Sequence, residues 1–370
     1  MSKSSETELK PYERLADTLD KIPNGFAKVS DGTHLRILQW IFTSEEAELA
    51  SKMKLMGETV EEFSSRLNIS AEGLKDKFET MAEKGQIRAW NSSTGRRYAL
   101  IPFAVGIYEE QLERMDKEFA LLFEEYLDKA SKETNGKGLF DSEPPVFRVI
   151  PVNRALKTEL TIHPYDQAEQ MIKQAKSWGI RECICKKQQE LLGNECNYKI
   201  TKVCMQFSPK ENAFGDGITK SITREESLKI LKDSEEAGLI HCSMNIQKGI
   251  SYICNCCTCC CGILRGLTER NQPSAFVKSN YLMNVDKELC VGCEACVDRC
   301  QFSALDVKED ICEVDGHRCV GCGVCAIECP EGALSLVARG PNQRTTPPET
   351  MRDWMTEKAM TRQVDPSDLL

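Results

Sequence analysis

The chain of 370 residues has no apolar run near the about 18 residues that a membrane-spanning helix requires, and none follows its polar start, Met1-Ser-Lys-Ser-Ser-Glu. Neither a membrane span nor an export signal is expected, which places the protein in the cytoplasm. Basic surplus is missing too: 48 Lys and Arg face 57 Asp and Glu, a formal charge of -9 that argues against broad, non-specific attraction to nucleic acid. There is no nucleotide-binding glycine loop, no Ser/His/Asp constellation and no flavin motif, so no enzyme class follows from those signatures. Cysteine is abundant instead, with twenty in all. In a chain without an export signal these thiols point to metal ligation rather than disulfides, and to a strongly reducing or anaerobic cell.

Eight of the cysteines form two copies of one spacing: Cys290-x2-Cys293-x2-Cys296-x3-Cys300 and Cys319-x2-Cys322-x2-Cys325-x3-Cys329-Pro330. Three thiolates so spaced wrap one face of a cubane, and in a two-cluster arrangement the fourth cysteine of each run ligates the other cluster. The expected sets are Cys290, Cys293, Cys296 and Cys329 for one [4Fe-4S] cluster, and Cys319, Cys322, Cys325 and Cys300 for the second. Paired four-cysteine zinc sites fit less well, because zinc ribbons join separated Cys-x2-Cys knuckles rather than triplets. The halves repeat beyond the cysteines, as in Val291-Gly292 and Val320-Gly321, or Ala304-Leu305 and Ala333-Leu334. Each half reads as strand, cysteine loop, short helix and strand, with Gly292 and Gly321 giving the backbone room to approach a cluster.

On these residues, positions 279–338 resemble a bacterial-type two-[4Fe-4S] ferredoxin. One departure is Gln301, which stands where the second copy has Pro330. Its expected effect is a looser loop or an altered potential, with no ligand lost.

A second concentration of thiols lies upstream: Cys183, Cys185, Cys196 and Cys204, then Cys254, Cys256, Cys257, Cys259, Cys260 and Cys261, the last six within eight residues. No apolar core needs that composition, and so many free thiols together invite oxidation unless metal holds them. Adjacent side chains diverge, so the six are expected to divide between sites, joining the upstream four to build at least one additional iron–sulfur cluster, with structural zinc as the alternative. Cys242 and Cys312 are weaker candidates, and Cys312 aligns with Met283 as a core position.

The N-terminal part reads as helices over about 12–19, 34–42, 44–53, 59–67 and 70–84, with Ser70 capping the last, and then a hairpin over 86–100. This order resembles a winged helix-turn-helix. The 70–84 helix mixes Lys75, Lys77 and Lys84 with Glu72, Asp76, Glu79 and Glu83, so it lacks the basic footprint of a DNA reader, although Arg88, Arg96 and Arg97 mark the hairpin. His34 is expected to be an ordinary cap-region residue. A long amphipathic helix is expected over 109–132, packed on its own domain or lining a partner seam, followed by a linker at 131–138. Further on, a strand is expected at 146–152, a helix from Pro164 to Trp178 ended by Gly179, and a helix over 222–237.

The expected fold class is α+β and multidomain: a winged-helix-like domain (1–135), a cysteine-rich α/β metal-binding domain (145–270), a ferredoxin-like two-cluster domain (279–338) and a tail (339–370). The whole order resembles multidomain 4Fe-4S-binding proteins of anaerobic microbes. That resemblance implies electron transfer with a redox protein partner, such as a reductase or dehydrogenase, more than a stand-alone enzyme. Two other readings stay open: a redox-responsive regulator acting through the winged helix, and a reductase subunit with a substrate site among the middle cysteines.

Overall fold

The computed structural model describes residues 3–134, 142–157, 162–215 and 217–370, so the expected linker lies outside the described residues from position 135 onward. The chain divides into two compact units, Met1–Glu143 with Met355–Leu370, and Pro144–Trp354. No helix among the described residues is long and apolar enough to cross a membrane.

The first unit runs α1 (Lys3–Lys21), α2 (Thr33–Ile41), α3 (Ser44–Ala50), α4 (Val60–Leu67), α5 (Leu74–Glu83), β1 (Arg88–Ser92), β2 (Gly95–Ala99) and α6 (Lys117–Glu133). Reciprocal capping boxes, Thr43 with Glu46 and Thr59 with Glu62, satisfy the first free N–H groups of α3 and α4. Ser70 does not cap α5. Its Oγ accepts the Glu72 N–H, and Gly73, left-handed at φ 72°, occupies the cap because the chain reverses there and glycine does so at least cost.

The helix expected from 109 begins only at Lys117, where Asp116 Oδ1 accepts the Phe119 N–H at 2.8 Å; a short 3-10 turn, Glu109–Gln111, precedes it. Its apolar face is covered within its own unit: Phe123 stacks on Tyr108 at 3.8 Å, Phe119 on Trp40 at 4.3 Å, and Tyr126 meets Phe26 at 5.3 Å between ring centroids. His34 is buried, and its Nδ1 accepts the Val29 N–H. Burial, the leading cause, holds its pKa below the usual histidine value.

The second unit contains β3 (Phe147–Val149), α7 (Ala168–Gln174), β4 (Ser177–Glu182), α8 (Ile184–Leu191), β5 (Lys202–Ser208), β6 (Lys220–Ile222), α9 (Arg224–Ala237), β7 (Ile240–Met244), β8 (Tyr252–Cys256), α10 (Gly262–Glu269) and β9 (Phe276–Val277). Seven strands form one sheet in the order β6-β4-β5-β8-β7-β3-β9, and every pair is antiparallel except β3 with β9. The α/β expectation for this segment therefore gives way to α+β. The helix expected up to Trp178 is corrected as well. Pro164 sits in a 3-10 turn, α7 stops at Gln174, and Trp178 and Gly179 belong to β4, which pairs on both edges, with β5 and β6. Gly179 is small for a packing reason: a Cβ there would meet Thr219 Cγ2 at 2.5 Å and the Phe214 ring at 2.9 Å. Ile172, Ile180, Met205, Phe207, Leu231 and Ile253 form the core on this side of the sheet.

The remaining elements are β10 (Tyr281–Val285), α11 (Ala295–Arg299), β11 (Leu305–Lys308), β12 (Ile311–Val314), α12 (Val324–Ile327), β13 (Leu334–Ala338) and α13 (Met351–Arg362). Here β10 pairs with β13 and β11 with β12, so each two-stranded sheet takes one strand from each sequence repeat. The tail is held rather than free. The Trp354 indole N–H donates to the Pro145 carbonyl at 3.0 Å, and within the first unit Arg362 binds Asp20 at 2.6 Å while the Leu55 N–H donates to the Leu369 carbonyl at 2.7 Å.

Candidate metal centres

In the repeated segment, the loops before α11 and α12 turn through left-handed residues. Gly292 lies at φ 67° and Gly321 at φ 70°. The expectation that these glycines open room for a cluster is refined by their neighbours. A Cβ at Gly292 would run into the Asp310 backbone, and one at Gly321 into the Tyr281 carbonyl and Ser279 Oγ, so what needs the space is the adjoining chain.

Cys290, Cys293, Cys296 and Cys329 line one cavity. Three come from the first run and the fourth from the second, an arrangement produced by the interleaved strands. On the other side, burial, the leading cause, pushes the Cys322 thiol up to about 12 and Cys325 well above its ordinary value, and the sulfurs of Cys319 and Cys300 add to both shifts. Cys300 therefore stands with the second triplet. Backbone donors already face sulfur: the Cys312 N–H points at Cys290 Sγ (3.4 Å) and the Ala304 N–H at Cys300 Sγ (3.3 Å). Four thiols drawn from both runs, with backbone N–H donors facing sulfur, fit iron–sulfur cubanes, which the two crossed sets would hold and which supply reversible one-electron chemistry.

The two sets differ in access. Cys293 is exposed, and the apolar Leu289 and Val291 beside it are 49% and 60% exposed, whereas Cys319, Cys322 and Cys325 are all buried. Cys312, read from sequence as a core position, is indeed buried, yet its Sγ lies 3.5 Å from Cys296 Sγ and it lines the same cavity. The repeat could not signal this role, because Met283 at the equivalent position has no thiol.

The upstream cysteines separate into two groups. Along β8, Cys254 and Cys256 project to one face by strand alternation, and Cys254 is in register with Cys204 on β5 and Cys242 on β7. Cys183 and Cys185, at the β4–α8 junction, and Cys261, which precedes α10, complete this group. Its sulfurs are joined in hydrogen-bonded sequence, Cys183 to Cys185, Cys261, Cys256, Cys254 and Cys204, with Cys242 branching at Cys256. The Cys183 thiol is held well above the ordinary range by its hydrogen bond to Cys185 and by burial. Cys185, Cys254 and Cys261 each have one sulfur hydrogen bond that lowers the pKa, from Cys183, Cys204 and Cys185 in turn, but the other sulfur neighbour and burial outweigh it and leave them well above that range too. The other group is Cys196, Cys257, Cys259 and Cys260, whose four sulfurs all lie within 4.8 Å of one another. The sequence marked every one of these residues except Cys242 as a ligand candidate, but it could not tell which partners each would find.

Two links tie these groups to the repeated segment within the second unit. The Cys242 thiol feels the Cys322 sulfur, and the Val152 N–H donates to the Cys322 carbonyl at 2.8 Å. Gln301 supplies the other: its Oε1 accepts the Thr258 N–H at 2.8 Å, and its Nε2 donates to the Gly238 carbonyl at 2.5 Å. Where a looser loop was expected from the missing proline, the glutamine instead fastens the corner after Cys300 to the cysteine-rich turn. Arg299 adds to this attachment by donating to the Glu235 carbonyl at 3.0 Å.

The family model described as a 4Fe-4S binding domain matches residues 283–306 and 313–335, one repeat each. No curated protein and no solved structure matches the chain. The matched residues span both cysteine runs, and with the cysteine group upstream they point to iron–sulfur electron transfer and further metal binding. The C-terminal part of this chain is a ferredoxin-like 4Fe-4S domain built from two repeats.

Proposed function

We propose that the protein is an electron-transfer protein of anaerobic cytoplasmic metabolism that shuttles single electrons between redox partners through two [4Fe-4S] clusters and further metal in the cysteine-rich segment. The observation that carries this reading is the succession of thiol sets, from the exposed Cys293, to the buried Cys319, Cys322 and Cys325 with the half-buried Cys300, to Cys242, whose thiol feels the Cys322 sulfur. Delocalised charge over iron and sulfide suits such a path, because the thiolate cage changes little between oxidation states.

A partner reductase or dehydrogenase would dock where Leu289 and Val291 surround the first cavity, with the chain's charge of -9 favouring a basic face opposite. The double variant Leu289→Ser, Val291→Ser should therefore keep its iron and sulfide, yet accept electrons from a ferredoxin reductase about tenfold more slowly, equivalent to about 1.4 kcal/mol of lost contact. Stopped-flow reduction without oxygen measures this. An unchanged rate would remove that surface from the path, and failure of any reductant to reduce the clusters would overturn the function.

The order α2 to α5 followed by the β1–β2 hairpin supports a winged-helix-like reading of the first unit, and with it the second proposal, a cluster-gated regulator. Its charges favour a docking role instead. Arg96 pairs with Glu79, Arg97 with Glu62, and Arg88 lies over the Trp90 ring at 5.9 Å. An electrophoretic shift of duplex DNA that depends on cluster oxidation would reverse that preference.

A further inference from the structure

The four thiols of Cys196, Cys257, Cys259 and Cys260 are arranged differently from the ferredoxin-type sets. Cys196 Sγ lies 3.8 Å from both Cys257 Sγ and Cys259 Sγ, and Cys259 Sγ lies 3.7 Å from Cys260 Sγ. Four thiolates placed tetrahedrally around one ion, each with a metal–sulfur bond of about 2.3 Å, are separated by about 3.8 Å along every edge. A cubane instead sets a different iron under each thiolate, so its ligands must stand farther apart. Among the described residues, these four form the one group of three or more potential ligands gathered this tightly, and the crossed ferredoxin sets do not reach it.

The chain builds the group deliberately. A turn after β8 brings Cys257, Cys259 and Cys260 around one point, with the Cys260 and Cys261 N–H groups both donating to the Cys257 carbonyl. The fourth ligand comes from a loop anchored by the buried Lys186, whose ammonium donates to the carbonyls of Tyr198 (2.8 Å) and Ile200 (2.6 Å). The Tyr198 N–H points at Cys196 Sγ (3.4 Å), the kind of donor that steadies a metal-bound thiolate. Cys257 and Cys260 are 1% and 2% exposed, while Cys196 and Cys259 are partly exposed.

We infer that Cys196, Cys257, Cys259 and Cys260 bind one thiophilic divalent ion, zinc or iron, as a mononuclear tetrathiolate separate from every iron–sulfur cluster in the chain. The site fastens the 196–200 loop to the turn that Gln301 joins to the ferredoxin-like domain, so it holds the cysteine-rich segment in place beside the clusters.

The test is metal and sulfide counting on the full chain purified without oxygen, in the natural protein and in Cys259→Ser. Cubanes contain iron and acid-labile sulfide in equal number, so the site shows as at least one metal ion in excess of sulfide. Cys259→Ser should lower that excess by one ion per chain and leave sulfide unchanged. X-ray absorption on the natural protein does not depend on the variant folding, and it separates the two metals: zinc in the site gives four sulfur neighbours at about 2.3 Å and no metal neighbour. Iron in the site shows as the same excess in the iron count with no zinc present. Metal equal to sulfide in the natural protein, or iron and sulfide lost together in Cys259→Ser, would overturn the inference.

Discussion

Cys300→Ala is expected to empty the buried cluster set, although Cys300 lies in the other sequence repeat. The strand pairing explains why: β10 with β13 and β11 with β12 close each two-stranded sheet from both repeats, which carries the fourth cysteine of each run across to the opposite triplet. Cys300 stands among Cys319, Cys322 and Cys325, while Cys329 lines the cavity of Cys290, Cys293 and Cys296. The variant should lose about four iron and four sulfide per chain and give the same residual spectrum as Cys319→Ala, with no further loss when the two are combined. The Gln301 and Arg299 attachments begin at this corner, so the thermal midpoint should fall as well. If Cys300→Ala matched Cys290→Ala instead, the crossed assignment would be wrong.

The second large effect concerns stability. Arg148 and Asp166 are fully buried and joined at 2.6 Å, with the guanidinium 4.7 Å from the Tyr165 ring centroid. Burial raises the Asp166 pKa, and the charge of Arg148 only partly opposes this. Arg148→Leu leaves a carboxylate without its counter-charge in the interior and should cost about 3–5 kcal/mol, whereas Arg148→Leu with Asp166→Leu should recover most of that. The sign of the pH dependence follows from the raised pKa. An acid harder to ionise in the folded state than in the unfolded one favours folding at low pH and loses that contribution as pH rises through its folded pKa. The deficit of Arg148→Leu should therefore narrow as pH is lowered. Denaturant unfolding of the two variants reads both effects, and a deficit that widened on acidification would contradict this account of the pair.

What could be read beforehand was local. Cysteine spacing defined the two repeated runs, and the helices expected over 44–53, 59–67 and 222–237 are present as α3, α4 and α9, each opened by a Thr-x-x-Glu capping box. The misreadings arose where distant partners decide. The expected helix up to Trp178, with Gly179 as its stop, gives way because strands on both sides claim these two residues, and Ser70 loses the α5 cap to a reversal at Gly73 three residues later. The division of the six clustered cysteines was expected in kind but not in detail. It depends on where β8 ends: strand alternation sends Cys254 and Cys256 to one group, and the turn that follows sends Cys257, Cys259 and Cys260 to the other. Gln301 shows the same limit, since a missing proline reads as loss until its amide is seen bridging Thr258 and Gly238.

The most direct test of the electron-transfer account is spin counting by electron paramagnetic resonance on the full chain, purified without oxygen and reduced stepwise. The account predicts at least two unpaired-electron centres per chain, magnetically coupled because the two crossed sets share one small domain, and all reoxidised without loss of iron. A protein that took up no electrons, or whose Cys290–Cys329 segment held zinc in place of iron, would contradict it.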